Sequence, residues 1–62
     1  MGLRFDVTIE HYNDEGSRLS SFVGLHADSA WDALKQGLAH CVDDMNEHSV
    51  VRRMSVERWD QQ

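Results

Sequence analysis

DSAWDALKQGLAHCVDDM, residues 28–45, is the stretch that decides the fold of this chain. Ser29 suits a helix N-cap, because its hydroxyl can accept a hydrogen bond from the amide of Asp32. Apolar side chains then recur at steps of three and four residues, which predicts a helix over about residues 29–46. The predicted buried stripe, with Trp31 and Val42 at its margins, consists of Ala30, Leu34, Leu38, Cys41 and Met45.

The segments on either side of this helix read as strands. Residues 3–12 alternate, and the predicted inward side chains are Leu3, Phe5, Val7, Ile9 and His11. Residues 13–17 are rich in turn formers, with Gly16 free to take positive φ. A second strand is predicted at about 18–27, with inward side chains Leu19, Ser21, Val23 and Leu25.

A third strand is predicted at about 50–59, with Val50, Met54 and Val56 facing inward. Arg52 interrupts that face, which indicates a bulge or an edge position. Residues 60–62 are expected to form a frayed end.

The expected hairpin register pairs Phe5 with Leu25, Val7 with Val23, Ile9 with Ser21 and His11 with Leu19, since it places the apolar residues on one side. The helix carries the chain back over the sheet, so the third strand lies beside the first. The sequence therefore predicts one α+β domain over residues 1–62, a ββαβ unit. Its antiparallel sheet has the strand order 2-1-3, and the helix covers one face.

Composition narrows the classes of function. The 62 residues include 11 acidic and 6 basic ones, a formal net charge of −5. Direct nucleic-acid binding is not expected, because phosphate contacts need clustered Lys and Arg. The single cysteine, Cys41, fits a reducing compartment, and no stretch is apolar enough to cross a membrane, so a cytoplasmic protein is predicted. A chain this short has a small core, which favours a homodimer or a protein partner.

The histidine and cysteine positions do not form a metal-site pattern. His11 and His26 fall toward opposite ends of the predicted hairpin, and His40 and Cys41 project about 100° apart on a helix. Neither pair has the short spacing typical of zinc ligands, so no metal or other cofactor is expected. Cys41 is interpreted as a core residue. A domain with three strands and one helix has little room for a catalytic pocket, so an enzyme is not expected.

The sheet face turned away from the helix, called here the open face, is the strongest candidate for a functional surface. Small monomers rarely leave contiguous apolar patches in water, and aromatic residues beside Arg are typical of binding hot spots. The alternative is that these aromatic residues only stabilise the sheet through cross-strand pairs. We predict that the open face binds a protein partner or a second copy through Tyr12, Phe22, Val51, Arg53 and Trp59.

An acidic cluster near the end of the helix is the second candidate surface. Asp43, Asp44 and Glu47 lie close together in the sequence. Solvated surface charge is the simpler interpretation. The alternative is a docking patch for a basic partner, since complementary charge steers association.

The helix entry ADSAWDAL, residues 27–34, resembles that of small strand–strand–helix–strand modules, including the N-terminal module of HicB-type antitoxins. The similarity extends over roughly residues 3–45 and implies a toxin-binding role. In size and charge the chain also resembles phage-encoded proteins that bind and inhibit a host protein. The sequence therefore predicts a non-enzymatic protein–protein interaction module, such as a phage-type inhibitor or regulator. The alternatives are an antitoxin-like module that covers a toxin or nuclease site, and a small enzyme subunit.

Overall fold

The computed structural model describes residues 2–59. Its elements are the strands β1 (Leu3–Asn13), β2 (Gly16–Ala27) and β3 (Val50–Arg58), and the helix α1 (Ala30–Cys41), which a 3-10 turn at Val42–Asp44 follows. The strands pair antiparallel in the order β2-β1-β3. The predicted α+β class, element order and strand order are confirmed. The frayed end expected at 60–62 lies outside the described residues.

β1 is the central strand, and its alternation is the one predicted. Phe5, Val7, Ile9 and His11 are all buried, with 2% or less of each residue exposed. The residues between them are only partly covered. Every second side chain of β1 therefore points under the helix, and the others form the middle of the open face.

The hairpin between β1 and β2 turns at Asp14 and Glu15. The side-chain oxygen of Asn13 accepts a hydrogen bond from the Glu15 amide at 2.8 Å, which closes the turn locally. Gly16 follows with φ +135°, a conformation that side chains with a Cβ rarely adopt. The expected turn and its glycine are confirmed.

The predicted hairpin register holds at one end of β2 and is wrong along the rest. Phe5 pairs with Leu25 as expected, but Val7 pairs with Phe22 because a bulge intervenes. The bulge forms at Gly24, which has φ +72° and donates its amide hydrogen to the Asp6 carboxylate at 3.0 Å.

This bulge moves every β2 residue before Gly24 to the opposite side of the sheet. Leu19 and Val23, which were predicted to face inward, lie on the open face with 68% and 72% of each residue exposed. Phe22 instead packs against the core. The part of β2 before Gly24 therefore packs an aromatic ring against the core and exposes two aliphatic side chains.

The irregularity predicted at Arg52 is present. Glu10 pairs with Arg53 and His11 pairs with Val51, so Arg52 is the extra residue of a bulge in β3. Met54 and Val56 lie opposite Ile9 and Val7 on the helix side, as predicted. Beyond the bulge the faces are reversed. Val51 faces inward, and Val50, opposite Tyr12, faces outward, so the expected placement of these two valines is wrong.

Helix α1 begins as expected. Ser29 has extended backbone angles, and its hydroxyl accepts the Asp32 amide hydrogen at 3.1 Å. The helix ends at Cys41 rather than near residue 46. There the amide of Met45 donates to the Val42 carbonyl at 3.1 Å and tightens the chain into the 3-10 turn.

The helix rests on the sheet through small side chains. Its buried residues are Ala33, Gly37 and Cys41, whereas Leu34 and Leu38 of the predicted stripe are only partly buried and Ala30 is exposed. A Cβ at Gly37 would lie 2.7 Å from Cγ1 of Val7, closer than real Cβ contacts allow. Because large side chains would hold the helix away, the closest approach falls on the small residues and not on the leucines.

We predict that Gly37→Ala destabilises the domain, although the same change at an exposed helix position adds stability. The new methyl group must displace Val7 or lift the helix, which lowers the free energy of unfolding by about 1–3 kcal/mol. Urea unfolding followed by circular dichroism measures the change. The matched control is Ala39→Gly on the exposed side of α1, which lowers stability by about 1 kcal/mol through helix propensity alone. An increase in stability in Gly37→Ala would contradict the close contact.

Candidate functional site

The five residues predicted to bind a partner divide between the two sides of the sheet. Those on the open face are Tyr12, Arg53 and Trp59. Phe22 lies beneath the helix, its ring centroid 5.5 Å from that of His40. Val51 lies on the same inner side, opposite buried His11. The prediction that Phe22 and Val51 belong to the open face is wrong, because the bulges at Gly24 and Arg52 shift both residues inward.

Trp59 is held against the open face by two hydrogen bonds and a cation–π contact. Its indole Nε1 donates to the Asp6 carboxylate at 2.7 Å, and its backbone amide donates to the Arg4 carbonyl at 2.9 Å. The Arg4 guanidinium lies 5.4 Å from the ring centroid, within the range of a cation–π contact. The ring covers Gly24, where a Cβ would come within 3.4 Å of it. Trp59 therefore completes the sheet rather than projecting from it.

Tyr12 is covered in a similar way at the other end of the open face. The Arg52 guanidinium lies 4.7 Å from the Tyr12 ring centroid, and it also lies 3.7 Å from the Glu10 carboxylate. Between the two aromatic ends runs a row of hydroxyl residues, since Thr8 pairs with Ser21 on one side and Ser55 on the other. The aromatic side chains of the open face are thus engaged within the chain, and its most exposed aliphatic side chains, Leu19 and Val23, lie on β2 on either side of Ser21.

A more apolar surface lies on the helix side, along the flank of α1 that faces β3. The β2-facing flank is identified by two contacts: Gln36 donates to the His26 carbonyl at 2.8 Å, and His40 lies against Phe22. Helical geometry places a second set of residues roughly across the helix axis from these two. That set consists of Trp31, Leu34, Leu38 and Val42.

The inner side of β3 continues this apolar surface. Val51, Met54 and Val56 point toward the helix side, but no residue of β3 is fully buried. Met54 is 44% exposed although it sits opposite fully buried Ile9. We call the two sets together the α1–β3 surface. Within residues 2–59, no other element lies over it.

Several side chains of the α1–β3 surface are largely exposed to solvent. Trp31 is 66% exposed and Val42 is 58% exposed. Leu34, Leu38, Val51 and Val56 are partly buried and all pack against the same core cluster. Sequence reasoning missed this surface, because it took Trp31 and Val42 as margins of a buried stripe. The signal available was that both fall on one flank, together with the two leucines.

The acidic residues occupy the end of the molecule beyond α1. Asp43 and Asp44 border a cleft of about 310 Å³ whose lining includes Asn13, Met45 and His11. His11 is 1% exposed, and its Nε2 has no hydrogen-bond partner among the described residues. Asp44 lies 3.7 Å from Arg18, so part of this charge is compensated within the chain. Glu47 is exposed in the next turn and does not line the cleft.

The remaining groups offer little for catalysis or metal binding. A wider cleft of about 600 Å³ beside the start of α1 has no hydroxyl or thiol side chain in its lining, and its Lys35 lies 3.4 Å from Asp32. Across residues 2–59, no three His, Cys, Asp or Glu side chains are grouped so that they could hold a metal ion. Cys41 is buried, and this burial raises the pKa of its thiol, which disfavours the reactive thiolate.

We predict that Asp6→Ala releases Trp59 from the sheet. The variant loses the acceptor for both the Gly24 amide and the Trp59 indole, which lowers the free energy of unfolding by roughly 1–3 kcal/mol. Tryptophan fluorescence measured in a Trp31→Phe background should shift to longer wavelength as Trp59 meets more water. Asp43→Ala, which removes an exposed carboxylate elsewhere, should leave the spectrum unchanged. An unshifted spectrum in Asp6→Ala would show that this carboxylate does not hold the ring.

We also predict that Cys41 is protected in the native chain. Only 1% of the residue is exposed, and burial favours its protonated form. At about pH 8, alkylation by iodoacetamide should be at least roughly tenfold slower than in the urea-unfolded chain. Mass spectrometry measures the rate, and an added exposed thiol in Ser21→Cys serves as the internal reference. Equal rates for the two thiols in the folded variant would contradict the burial of Cys41.

Comparison with known proteins gives no guide to function. The chain matches no family model, and searches of curated proteins and of solved structures find no match. No helix within residues 2–59 has the length and apolar character needed to cross a membrane. The function proposed below therefore depends on the surfaces of this chain alone.

Proposed function

We propose that this chain is a non-enzymatic protein–protein interaction module that binds its partner through the α1–β3 surface. The observation that carries the proposal is the exposed apolar strip formed by Trp31, Val42 and Met54, which continues into partly buried leucine and valine side chains. Contiguous apolar surface on a small protein is typical of a binding site, and an exposed tryptophan at its edge is typical of a hot spot.

The α1–β3 surface suits this role better than the open face does. On the open face, Tyr12 and Trp59 are in contact with arginine side chains, and charged groups pair with one another. A partner docking there would have to displace these contacts before gaining its own. The exposed aliphatic side chains there, Leu19 and Val23, are separated by Ser21 on the edge strand β2. On the α1–β3 surface the side chains are apolar, so burying them under a protein partner gains free energy without breaking an ion pair.

The chemistry of the described residues supports a non-enzymatic role. The one thiol, that of Cys41, is buried and held in its protonated form. The carboxylates of Glu10 and Asp6 on the open face are engaged with Arg52 and with the Trp59 indole. These groups stabilise the fold, which leaves them poorly placed for acid–base work on a substrate.

Site-specific photocrosslinking tests the proposal. A benzophenone amino acid is placed at Met54, and the chain is irradiated in the cells that express it. The expected result is a discrete covalent adduct with a protein. The control places the same group at Leu19, which is more exposed than Met54, lies on the opposite side of the sheet and should still give far less adduct.

The mass of the adduct identifies the class of partner. An adduct of twice the chain mass indicates a second copy, and a larger adduct indicates a different protein. The absence of any adduct at Met54, combined with efficient adducts at Leu19, would move the binding site to the open face and contradict the proposal.

A further inference from the structure

We infer that the occupant of the α1–β3 surface is a second copy of this chain, joined by antiparallel pairing of the two β3 strands about a two-fold axis at Ser55. This inference rests on the proposed function and names its partner. The resulting sheet has the strand order β2-β1-β3-β3-β1-β2, and both helices lie on one side of it.

The edge of β3 is available for this pairing. β3 bonds to β1 on one side only, so within residues 2–59 the backbone groups along its other side have no strand partner. Such an edge is a template for another strand. When two identical edges meet about a two-fold axis they run antiparallel, and each copy presents the same residues to the other.

The charges and apolar side chains of β3 match best when the two-fold axis lies at Ser55. Directly opposite residues of an antiparallel pair share a face. With the axis at Ser55, Arg53 lies opposite Glu57 of the second copy on the open face. On the helix side, Met54 lies opposite Val56 of the second copy. Each contact occurs twice, so the pairing joins opposite charges on one face and apolar side chains on the other.

Neighbouring positions of the axis lose this match. An axis at Met54 places Glu57 opposite Val51, and an axis at Arg53 places two like charges together. Among the described residues, neither Arg53 nor Glu57 forms an ion pair within the chain, so both charges are free to meet a second copy. Arg52 is turned toward Tyr12 and Glu10 on the open face, which keeps it away from Arg58 of the second copy.

The helices fit the same axis. Each lies over its own β1, so three strand spacings, roughly 14 Å, separate the two helices. Closely packed helices lie about 8–10 Å apart, so this gap leaves room for the large side chains between them. The side chains that project into this gap are those of the α1–β3 surface. They are exposed or partly buried in the monomer and become buried in the dimer.

Trp31 and Val42 are placed to meet across this gap. Ser55 pairs with Thr8, which lies between Val7 and Ile9, the two residues beneath Gly37. The axis therefore passes level with Gly37. Because the two helices run antiparallel about it, Trp31 on one side of Gly37 faces Val42 of the second copy on the other side.

The edge of β2 is less suited to pairing. Both edge strands carry a bulge, β2 at Gly24 and β3 at Arg52, so the bulges do not distinguish the two edges. Arg18 is the one side chain of fixed charge on β2, so no opposite charges could set a register.

A charge-exchange experiment tests the inference. Light scattering coupled to gel filtration should give twice 7.1 kDa for the unaltered chain over a concentration series. Arg53→Glu and Glu57→Arg should each weaken the dimer by roughly tenfold to a hundredfold in dissociation constant, since each places two like-charged pairs across the axis. An equimolar mixture of the two variants should restore the dimer, because residues 53 and 57 then meet as opposite charges at both contacts.

Two controls separate this pairing from a general effect of charge. Arg18→Glu makes the same change of charge on the β2 edge and should leave the dimer intact. Because Arg53 also lies opposite Glu10 in its own chain, the folded state of each variant is checked by circular dichroism and urea unfolding.

A covalent readout comes from Ser55→Cys. Opposed residues of an antiparallel pair have Cα atoms about 4.5–5.5 Å apart, within the range that a disulfide spans. With oxidised glutathione as the oxidant, the two introduced thiols, one from each copy, should join rapidly at the axis. Ser21→Cys, in the middle of the β2 edge, should not join.

The outcomes distinguish this inference from the proposed function. A mass of 7.1 kDa at all concentrations, with a Met54 photoadduct to a different protein, overturns the second-copy inference and leaves the proposed function in place. A dimer that responds to Arg18→Glu or links through Ser21→Cys overturns pairing at β3. A monomer without any Met54 adduct overturns both.

Discussion

The contact between Gly37 and Val7 determines how the rest of the molecule is arranged. With no Cβ at Gly37, the helix backbone rests directly on the central strand, and small residues one turn away on either side keep the approach close. A helix about 10 Å wide, centred on β1, cannot fully cover strands on both sides. Its contacts through Gln36 and His40 lie toward β2, so β3 is left with no fully buried residue. The exposed apolar strip follows from this one approach.

Two bulges then decide what each face of the sheet displays. The bulge at Gly24 buries Phe22, and the Asp6 carboxylate holds the bulge and the Trp59 ring at the same place. The bulge at Arg52 turns Val51 inward and lets the arginine cover Tyr12. The aromatic and charged side chains of the open face are therefore engaged with one another, and its exposed aliphatic side chains lie on β2, while the exposed apolar side chains next to partly buried core residues lie on the helix side. With regular strands, Phe22 and Val51 would lie on the open face, and Leu19 and Val23 would lie on the helix side.

Features that depend on residues close in the chain were predicted correctly from the sequence, and features that depend on distant residues were not. The cap at Ser29 and the alternation of β1 depend on residues close in the chain, and both were predicted. The face of Phe22 depends on Gly24 taking a positive φ opposite Asp6, a pairing that alternation within one strand does not contain. The helix stripe was misplaced because periodicity weights large apolar residues, whereas packing distance is set by small ones such as Gly37. The candidate surface was missed for the same reason.

The outline of the molecule has a consequence for how it behaves in solution. The Cα trace is 43 Å long but only 15 and 13 Å across, because β1 and β2 are long strands of 11 and 12 residues. A rod of this axial ratio diffuses more slowly than a sphere of equal mass. Its elution volume would then correspond to a heavier globular standard. Column calibration would therefore report a lone chain as an apparent pair, and only a shape-independent mass can tell the two apart.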